Sequence, residues 1–338
     1  MGVDLGDLVT RKTVRLQDLR GKIVAIDAYN TLYQFLSIIR QPDGTPLQDS
    51  RGNVTSHLAG LLYRTANFAE AGIKPVYVYD GMPHERKMKT LEERKARKVK
   101  AEADRKEAVA AGDTARAYTK ATQTAHLSRP MADESRELLD ALGIPWVAAP
   151  GEGEAQAAAM ATSGSVHAAA SQDYDALLFG APRLLRNMAV TGRRKLPGRN
   201  VWVDVEPEMV ALDDVLASLG LTREQLVDVG LLVGTDYNDG VRGVGPKRAA
   251  KLIKEHGDAE HALAHVKQDV PDLALLRGLF LAPATEAPPP LAWRLPEDDK
   301  VVEILVRRHG FTEERVRTAL ARYAGLAEAL KQRSLFEF

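Results

Sequence analysis

The stretch Ala168-Ala-Ala-Ser-Gln-Asp-Tyr-Asp-Ala-Leu-Leu-Phe-Gly180 places two carboxylates, Asp173 and Asp175, directly after a short apolar run. In extended backbone, residues two apart point to the same side, so the pattern predicts that both side chains enter one small space. Like charges that close are costly unless a cation lies between them. On this pair alone, an acidic surface turn explains the pattern equally well. The rest of the chain favours a metal site because the same pattern recurs.

Two further apolar segments also end in a carboxylate. Asp27 closes the run Lys22-Ile-Val-Ala-Ile-Asp27, and Asp80 closes Pro75-Val-Tyr-Val-Tyr-Asp80. Both runs have the composition of buried strands. Parallel α/β sheets place their sites at the carboxyl ends of strands. The pattern therefore predicts a three-layer α/β domain with a parallel-rich central sheet and acidic residues along one edge.

Three more carboxylates complete the candidate set. Pro150-Gly-Glu-Gly-Glu154 introduces an Ala-rich helix, and we expect Glu152 in the entering loop and Glu154 in the first turn, where both can face one ion. Asp236 lies in Leu231-Leu-Val-Gly-Thr-Asp-Tyr-Asn238. An oxygen-only ligand set favours Mg²⁺ or Mn²⁺ over zinc. Such a set predicts two ions about 4 Å apart and phosphodiester hydrolysis. The candidate ligands are Asp27, Asp80, Glu152, Glu154, Asp173, Asp175 and Asp236.

The composition limits the class of protein. The chain has 338 residues, 45% of them hydrophobic, and no cysteine, which fits a globular protein in a reducing compartment without disulfides. No apolar run reaches the roughly 18 residues that span a bilayer, and no apolar signal core begins the chain, so we expect a soluble, cytoplasmic protein without membrane contact. The net charge of +0 hides a segregated distribution. Residues 176–203 contain six basic side chains and no acidic one.

Residues 85–107 form a charge-dense segment with ten basic and six acidic side chains. Because it has almost no large apolar residues, it cannot bury a face, and it should project from the body of the domain. An ordinary solvated helix would explain the same composition. Its position directly after Asp80 favours a phosphate-facing element instead. Lys87 and Arg94 are two helical turns apart, so both can point toward one scissile phosphate.

The segment Gly240-Val-Arg-Gly-Val-Gly-Pro-Lys-Arg-Ala249 carries a second phosphate-binding pattern. Tight glycine turns at Gly243 and Gly245, followed by a proline at a helix start, expose backbone N–H groups that bind phosphate oxygens. Lys247 and Arg248 add positive charge at the same point. The pattern predicts a helix-turn-helix-type grip on the duplex backbone without base readout.

These motifs, in this order, closely resemble the flap endonucleases, which are structure-specific 5′ nucleases, and the likeness covers essentially the whole chain. The MGVDLGDLV opening and the short tail resemble the archaeal type. The motifs that carry the likeness are YQFL at 33–36, SHLAGLLYRT at 56–65, VYVYDG at 76–81, GEGEAQAA at 151–158, SQDYDALLFG at 171–180, GTDYN at 234–238 and GVGPKRA at 243–249.

The resemblance implies a role for each candidate residue. Lys87 and Arg94 match arch residues that contact the scissile phosphate. Tyr33, for which core packing is the alternative, matches an aromatic that stacks on a base, and Arg40 matches a nearby DNA contact. Gly2 would supply a free α-amine close to the DNA. The resemblance divides the acids into ligands of two ions. One ion would be bound by Asp27, Asp80, Glu152 and Glu154, and the other by Asp173, Asp175 and Asp236, with Glu154 near both. Glu152 would also contact DNA.

The resemblance also implies an organisation along the chain. We expect one 5′ nuclease domain over 1–325. Its N-terminal nuclease region covers about 1–100, an arch spans 85–128, an internal nuclease region spans 129–260, and a helix–two-turn–helix lies at 226–256. In relatives this last element binds K⁺, although eukaryotic relatives often have a serine where this chain has Gly240. The tail, 326–338, resembles a peptide that binds the sliding clamp (PCNA) through Gln332, Leu335 and Phe338, without the second aromatic residue of that motif.

The implied activity is endonucleolytic cleavage of 5′ flaps, with 5′-3′ exonuclease activity on nicked or gapped DNA, in Okazaki-fragment maturation and base excision repair. One metal ion would activate water and the other would stabilise the leaving oxygen, leaving a 5′-phosphate and a 3′-hydroxyl. We expect a monomer, associated with the nucleoid if archaeal. A relative that cuts bubbles or RNA is one alternative, but the long insertions typical of bubble-cutting nucleases are absent. A non-catalytic, clamp-tethered DNA-binding scaffold is the other, and it would require seven carboxylates to be close together without an ion.

Overall fold

The computed structural model of the protein describes residues 2–41, 43–190, 192–195 and 202–334. Within these ranges, the backbone alone is described at 89, 91, 94, 95, 114, 115, 117, 192–195, 202–204, 329 and 331–334. Every structural statement below concerns these residues.

Nine strands lie within the described residues. They are β1 (Lys12–Thr13), β2 (Ile23–Asp27), β3 (Lys74–Tyr79), β4 (Trp146–Ala148), β5 (Ala168–Ala170), β6 (Arg183–Arg186), β7 (Gly192–Lys195), β8 (Trp202–Val205) and β9 (Glu208–Ala211). Seven of them form one sheet in the order β1-β9-β6-β5-β2-β3-β4, and β7 pairs with β8 in a separate antiparallel hairpin.

The helices account for most of the remaining described residues. They are α1 (Ala28–Ile38), α2 (Ser56–Glu70), α3 (Lys87–Ala110), α4 (Thr114–Gln123), α5 (Arg129–Ala141), α6 (Gly153–Thr162), α7 (Asp175–Leu178), α8 (Leu212–Leu219), α9 (Arg223–Val233), α10 (Pro246–His256), α11 (Ala259–Val266), α12 (Leu273–Leu281), α13 (Asp298–Val302), α14 (Glu313–Ala321) and α15 (Ala324–Ser334). One π-helical turn, Glu303–Arg308, continues α13.

The five central strands of the sheet, from β6 to β4, are all parallel. Strand β9 runs antiparallel to β6, and the edge strand β1 pairs antiparallel with β9. Parallel neighbours require crossover helices, which cover both faces of the sheet. The predicted three-layer α/β fold with a parallel-rich sheet is therefore confirmed, and the carboxyl ends of the parallel strands share one edge.

Small side chains let the central layers approach closely. Strand β5 consists of three buried alanines, Ala168–Ala170, and α6 buries Ala155, Ala157, Ala158 and Ala161. A helix that is apolar all round is a buried helix, which fits the position of α6 against β2, β3 and β5. Its first turn, which carries Glu154, is consequently held beside the strand ends.

One local expectation differs from the structure. Asp173 and Asp175 do not lie in extended backbone, because β5 ends at Ala170 and Asp175 begins the short helix α7.

The expected tail also begins inside a helix. Residues 324–334 form α15, which crosses the expected boundary between 325 and 326. Leu326 is fully buried, and α15 packs against α2. A Cβ at Gly325 would lie 2.6 Å from the Glu70 carbonyl oxygen, so this contact is close. The first part of the expected tail is thus part of the globular body.

Candidate active site

Four parallel strands bring most of the predicted carboxylates to one edge of the sheet. Asp27 is the last residue of β2, and Asp80 directly follows β3. Glu152 and Glu154 lie at the start of α6, which follows β4, and Glu152 is the residue that precedes the helix. Because the strands β5, β2, β3 and β4 are parallel neighbours, their carboxyl ends lie side by side. The structure therefore supports the placement that the strand-end pattern predicts.

Backbone N–H groups hold one oxygen of several of these carboxylates. Asn30 N donates to Asp27 Oδ1 at 2.9 Å, and Gly153 N donates to Asp80 Oδ1 at 2.6 Å. Val3 N donates to Asp175 Oδ1 at 2.6 Å. Hydrogen bonds of this kind fix the orientation of a carboxylate and stabilise its charged form. Each of these side chains is therefore oriented by main chain rather than by its own rotamer preference.

Lys87 lies among the carboxylates. Its Nζ contacts a carboxylate oxygen of Glu152 and lies 3.6 Å from Asp236 Oδ2, and its side chain is only 15% exposed. Although burial disfavours the charged amine, Glu152 and Asp80 raise the pKa of Lys87 above its usual value. The first residue of α3 thus supplies a fixed positive charge inside the acidic cluster, and Thr90 Oγ1 attaches the same turn to the Asp236 carbonyl at 2.9 Å.

The carboxylates interact strongly with one another. Burial, reinforced by Asp80, raises the pKa of Asp27 well above its usual range. Burial also raises the pKa of Asp80, with Glu152 adding to the shift and Lys87 opposing it. Burial, followed by the charge of Asp175, raises the pKa of Glu154 well above its usual range. Burial together with the charge of Asp236 raises the pKa of Asp175 to about 7. These mutual effects link acids from separate elements, so the acids share one buried space.

The donor chemistry fits a hard divalent cation. All candidate ligands are carboxylate oxygens, and Glu154 Oε1 is buried without a hydrogen-bond partner. A divalent cation would offset the repulsion that raises the pKa values. Over the described residues, however, no three acidic or histidine side chains are arranged around one point in ligand geometry. The Lys87 ammonium instead lies against Glu152 and Asp236, so the assignment of the acids as ligands stays a prediction.

The start of the chain packs directly on this site. A Cβ at Gly2 would lie 2.6 Å from Asp175 Cγ and 2.7 Å from Oδ2, which leaves no space for a side chain. The next residue, Val3, is buried and makes the hydrogen bond to Asp175 described above. Gly2 is thus adjacent to a candidate ligand, and its predicted contact with DNA stays a prediction.

Tyr33 and Arg40 lie on and just after α1, beneath the arch formed by α3 and α4. Lys98 of α3 places its Nζ 4.5 Å from the centre of the Tyr33 ring. The Arg40 guanidinium donates from Nε to the Ser37 carbonyl at 3.2 Å and from Nη1 to the Gly44 carbonyl at 2.9 Å. Two of its five N–H donors are therefore engaged within the protein. Arg94 belongs to α3, but its side chain is outside the described residues.

The predicted helix–two-turn–helix corresponds to α9, the turns at 234–245 and α10. Gly243 has a φ of 77°, and Gly245 precedes α10, where Pro246 is in the first turn. Arg248 Nη1 donates to the Gly243 carbonyl at 3.1 Å, and the exposed Lys247 pairs with Asp7 at 3.1 Å. The N–H groups at the start of α10 thus have positive charge beside them, as the sequence pattern predicts.

The residues predicted to bind a sliding clamp lie at or beyond the limit of the described chain. Gln332 is in the helical backbone of α15, and its side chain is outside the described residues. Leu335 and Phe338 also lie outside them. Among the residues that are described, no helix is long and apolar enough to cross a bilayer.

Sequence reasoning missed two side chains that touch the carboxylates. Asn30 Nδ2 donates to Asp173 Oδ2 at 3.3 Å. Its position three residues after Asp27, one helical turn away, was a usable signal. Tyr237 is buried beside Glu152. Burial is the main cause that raises the pKa of this tyrosine, and the charge of Glu152 adds to it. Tyr237 directly follows Asp236 in the sequence, but nothing in the motif indicated a contact with α6.

Comparisons with known proteins agree with the fold. Residues 3–101 match the family profile described as the XPG N-terminal domain, and residues 143–236 match the XPG I-region. The chain is 54% identical over 329 residues to flap endonuclease 1 of Aeropyrum pernix, covering 95% of this chain and 94% of that protein.

Solved structures give the same result. The structure of flap endonuclease-1 from Methanococcus jannaschii superimposes with a TM-score of 0.77 at 38% identity, covering 97% of this chain and 99% of that one. The catalytic core of Rad2 in complex with a DNA substrate has a TM-score of 0.73 at 23% identity, over 96% and 100% of the two chains, and shares the fold. The alternative of a non-catalytic scaffold finds no support in these likenesses.

Identity of this extent over nearly the whole chain, together with buried acids at the carboxyl ends of parallel strands, confirms the predicted nuclease activity and its dependence on divalent metal. The chain belongs to the flap endonuclease family, the structure-specific 5′ nucleases of DNA replication and repair.

Proposed function

We propose that this flap endonuclease holds two Mg²⁺ ions, for which Mn²⁺ can substitute, in its acidic cluster. The observation that carries the proposal is the set of buried acids whose charges raise one another's pKa values across β2, β3, α6 and α7. When bound, such a pair of cations would activate water and stabilise the leaving oxygen. The proposed sets are Asp27, Asp80, Glu152 and Glu154 for one ion, and Asp173, Asp175 and Asp236 for the other, with Glu154 near both.

Lys87 supports this proposal as a second source of positive charge. Its ammonium contacts Glu152 and lies 3.6 Å from Asp236 Oδ2, and its raised pKa keeps it charged at neutral pH. A fixed ammonium in a buried site stabilises negative charge that develops on a phosphoryl oxygen. We propose that Lys87 binds the scissile phosphate and that Arg94, two turns later on the same helix, assists it.

The duplex and the flap are proposed to contact different parts of the surface. The start of α10, with Gly243, Gly245, Lys247 and Arg248, would hold the phosphates of the duplex. Tyr33, beneath the arch, would stack on a base next to the cut. DNA binding by this fold is consistent with the Rad2 core, which was solved in complex with a DNA substrate.

Several finer assignments rest on the resemblance. We propose contacts of Gly2, Arg40 and Glu152 with DNA, and binding of a sliding clamp through Gln332, Leu335 and Phe338. We propose that the nuclease domain includes α15 and that the protein acts as a monomer at the nucleoid in the cytoplasm.

A K⁺ ion at the turns before α10 is part of the same proposal. Gly240 has a φ of 72°, and a Cβ there would lie 2.5 Å from the carbonyl carbon of Val233. This turn therefore accommodates glycine and not the serine of eukaryotic relatives, so main-chain oxygens would have to coordinate the ion.

Cleavage of a labelled double-flap DNA, beside matched duplex and bubble substrates, tests the proposal. We expect one cut near the base of the 5′ flap with Mg²⁺ and none with Ca²⁺. Asp175→Ala should abolish cleavage while flap binding stays within a few fold. Asp213→Ala is the control, because Asp213 is an exposed acidic residue in the first turn of α8. Tight flap binding without cleavage under any metal would reject the proposed mechanism, and an active Asp175→Ala would remove that residue from it.

A further inference from the structure

The segment between β5 and α7 carries Asp173 without regular secondary structure. Residues 171–174 belong to neither element. Within this segment, Asp173 N donates a hydrogen bond to Ser171 Oγ at 3.2 Å. The hydrogen-bond ladder of β2 fixes the backbone of Asp27, and Asp80 directly follows β3, but Asp173 lies three residues beyond the end of β5. Its position therefore depends on side chains from other elements that contact this segment.

Asn30 is the first of these side chains, and it touches two candidate ligands. Its backbone N–H donates to Asp27, and its Nδ2 donates to Asp173 Oδ2 at 3.3 Å. Gln34 Nε2 donates to Asn30 Oδ1 at 3.0 Å, which fixes the orientation of the Asn30 amide. Because Asp27 and Asp173 are assigned to different ions, one residue connects the two halves of the cluster.

Arg186 of β6 contacts both residues that flank Asp173. Its Nε donates to the Gln172 carbonyl at 3.1 Å, and its Nη1 donates to the Tyr174 hydroxyl at 2.5 Å. The guanidinium carbon lies 4.2 Å from the centre of the Tyr174 ring. Glu208 on β9 lies 3.6 Å from Arg186 Nη1, and the arginine side chain is only 17% exposed. The planar fork is thus held against the segment rather than directed to solvent.

We propose that Asn30 and Arg186 are positioning residues that hold Asp173 at the distance from Asp27 that a pair of divalent cations requires. The inference rests on the proposed function and adds the side chains that set the geometry of the site. Residues that orient metal ligands typically change metal affinity or activity about 10- to 100-fold when they are mutated. We therefore expect these substitutions to lower the affinity for divalent metal and to leave DNA binding largely unchanged.

Two substitutions isolate the contacts. Asn30→Ala removes the bond to Asp173 but keeps the backbone N–H that bonds to Asp27. Arg186→Lys keeps the positive charge but loses the planar fork, so it separates positioning from a purely electrostatic role toward DNA. The matched control is Arg183→Lys on the same strand, since Arg183 is exposed and its Nη1 donates to the His167 carbonyl at 3.4 Å, away from the cluster.

The experiment measures Ca²⁺ binding to the full-length protein by calorimetry, the Mg²⁺ concentration for half-maximal flap cleavage, and the thermal unfolding midpoint. We expect Asn30→Ala and Arg186→Lys each to weaken Ca²⁺ binding and to raise the Mg²⁺ midpoint by about tenfold, with flap-DNA affinity in chelator unchanged. Excess Mg²⁺ should restore most of kcat. The double variant should lose less than the product of the two single effects, because both contacts act on one carboxylate.

Three outcomes would overturn the proposal. One is wild-type Ca²⁺ affinity in both variants, and another is a loss that only follows a lower unfolding midpoint. The third is full activity of Arg186→Lys at low Mg²⁺, which would assign the arginine a role through charge alone. If the wild-type protein itself binds no divalent cation, the proposed function fails, and the positioning proposal fails with it.

Discussion

Replacing Gly2 by alanine should disturb the active site from the start of the chain. A Cβ at this position would lie 2.6 Å from Asp175 Cγ, whereas nonbonded carbon atoms approach to about 3.5–4.0 Å. Either the carboxylate or the N-terminal segment must therefore move by about 1 Å. Val3 N holds the same carboxylate at 2.6 Å, so a shift of either partner also weakens this hydrogen bond.

The size of the effect follows from that displacement. A reacting or ligating group that is misplaced by about 1 Å typically costs on the order of 10²-fold in rate. We therefore expect kcat for flap cleavage to fall about 100-fold in Gly2→Ala. The unfolding midpoint should change little, because Gly2 itself is only partly buried and a small shift there keeps Val3 in the core. Single-turnover cleavage of a labelled double-flap DNA at saturating Mg²⁺ measures the chemical step directly.

A second glycine beside the same site supplies the control. Gly151 precedes Glu152, and a Cβ there would meet its nearest atom, the Ala284 carbonyl oxygen, at 3.9 Å, which is ordinary contact. Gly151→Ala should therefore keep kcat within about twofold of wild type. If Gly2→Ala is as active as Gly151→Ala, the steric argument is wrong. Equal large losses in both variants would instead indicate that any added methyl group near the acids is harmful.

Three further predictions address charge, packing and pH. Lys87→Met should lower the cleavage rate about 10²- to 10³-fold. It should not weaken Ca²⁺ binding, because the Lys87 ammonium and a bound cation compete for the same carboxylate oxygens. Weaker Ca²⁺ binding in calorimetry would contradict this role of Lys87. Gly60→Ala should destabilise the fold by about 1–2 kcal/mol, since a Cβ would lie 2.5 Å from a ring carbon of Phe35. Gly278→Ala, with open space around it, should instead stabilise α12 by about 0.5–1 kcal/mol. Urea unfolding measures both changes. In chelator, the stability of the fold should fall as pH rises from about 3.8 toward about 7, because burial raises the folded-state pKa of Asp175 and the folded state must give up this proton. Asp175→Asn should flatten this pH dependence. An unchanged slope of the unfolding midpoint against pH in that variant would reject the prediction.

The sequence was sufficient for residues whose positions follow from strand order. Asp27 and Asp80 end apolar runs, and any parallel sheet that contains both runs brings these residues to one edge. Glu152 and Glu154 also follow from local rules, because a helix start separates a residue in the entering loop from one in the first turn. These expectations depend on backbone periodicity alone, which is why they could be made without the structure.

Contacts that depend on side chains from distant segments could not be predicted in this way. Asp173 and Asp175 were expected in extended backbone, yet Asp175 begins a helix, and the two acids meet the others through tertiary contacts. The Arg186 fork on Gln172 and Tyr174 joins a strand to an irregular segment. No periodicity in the sequence encodes such a contact, since it requires the register between β5 and β6.

The acidic cluster leads us to expect that activity and stability oppose each other in this fold. Burial and mutual repulsion raise the pKa values of Asp27, Asp80, Glu154 and Asp175, so the ionised cluster destabilises the folded state. Lys87 offsets part of this repulsion from the first turn of the arch. Because bound cations stabilise only the folded state, metal binding and folding are thermodynamically linked. A variant that neutralises one ligand should consequently be more stable than wild type in chelator, and it should lose that advantage as Mg²⁺ is added.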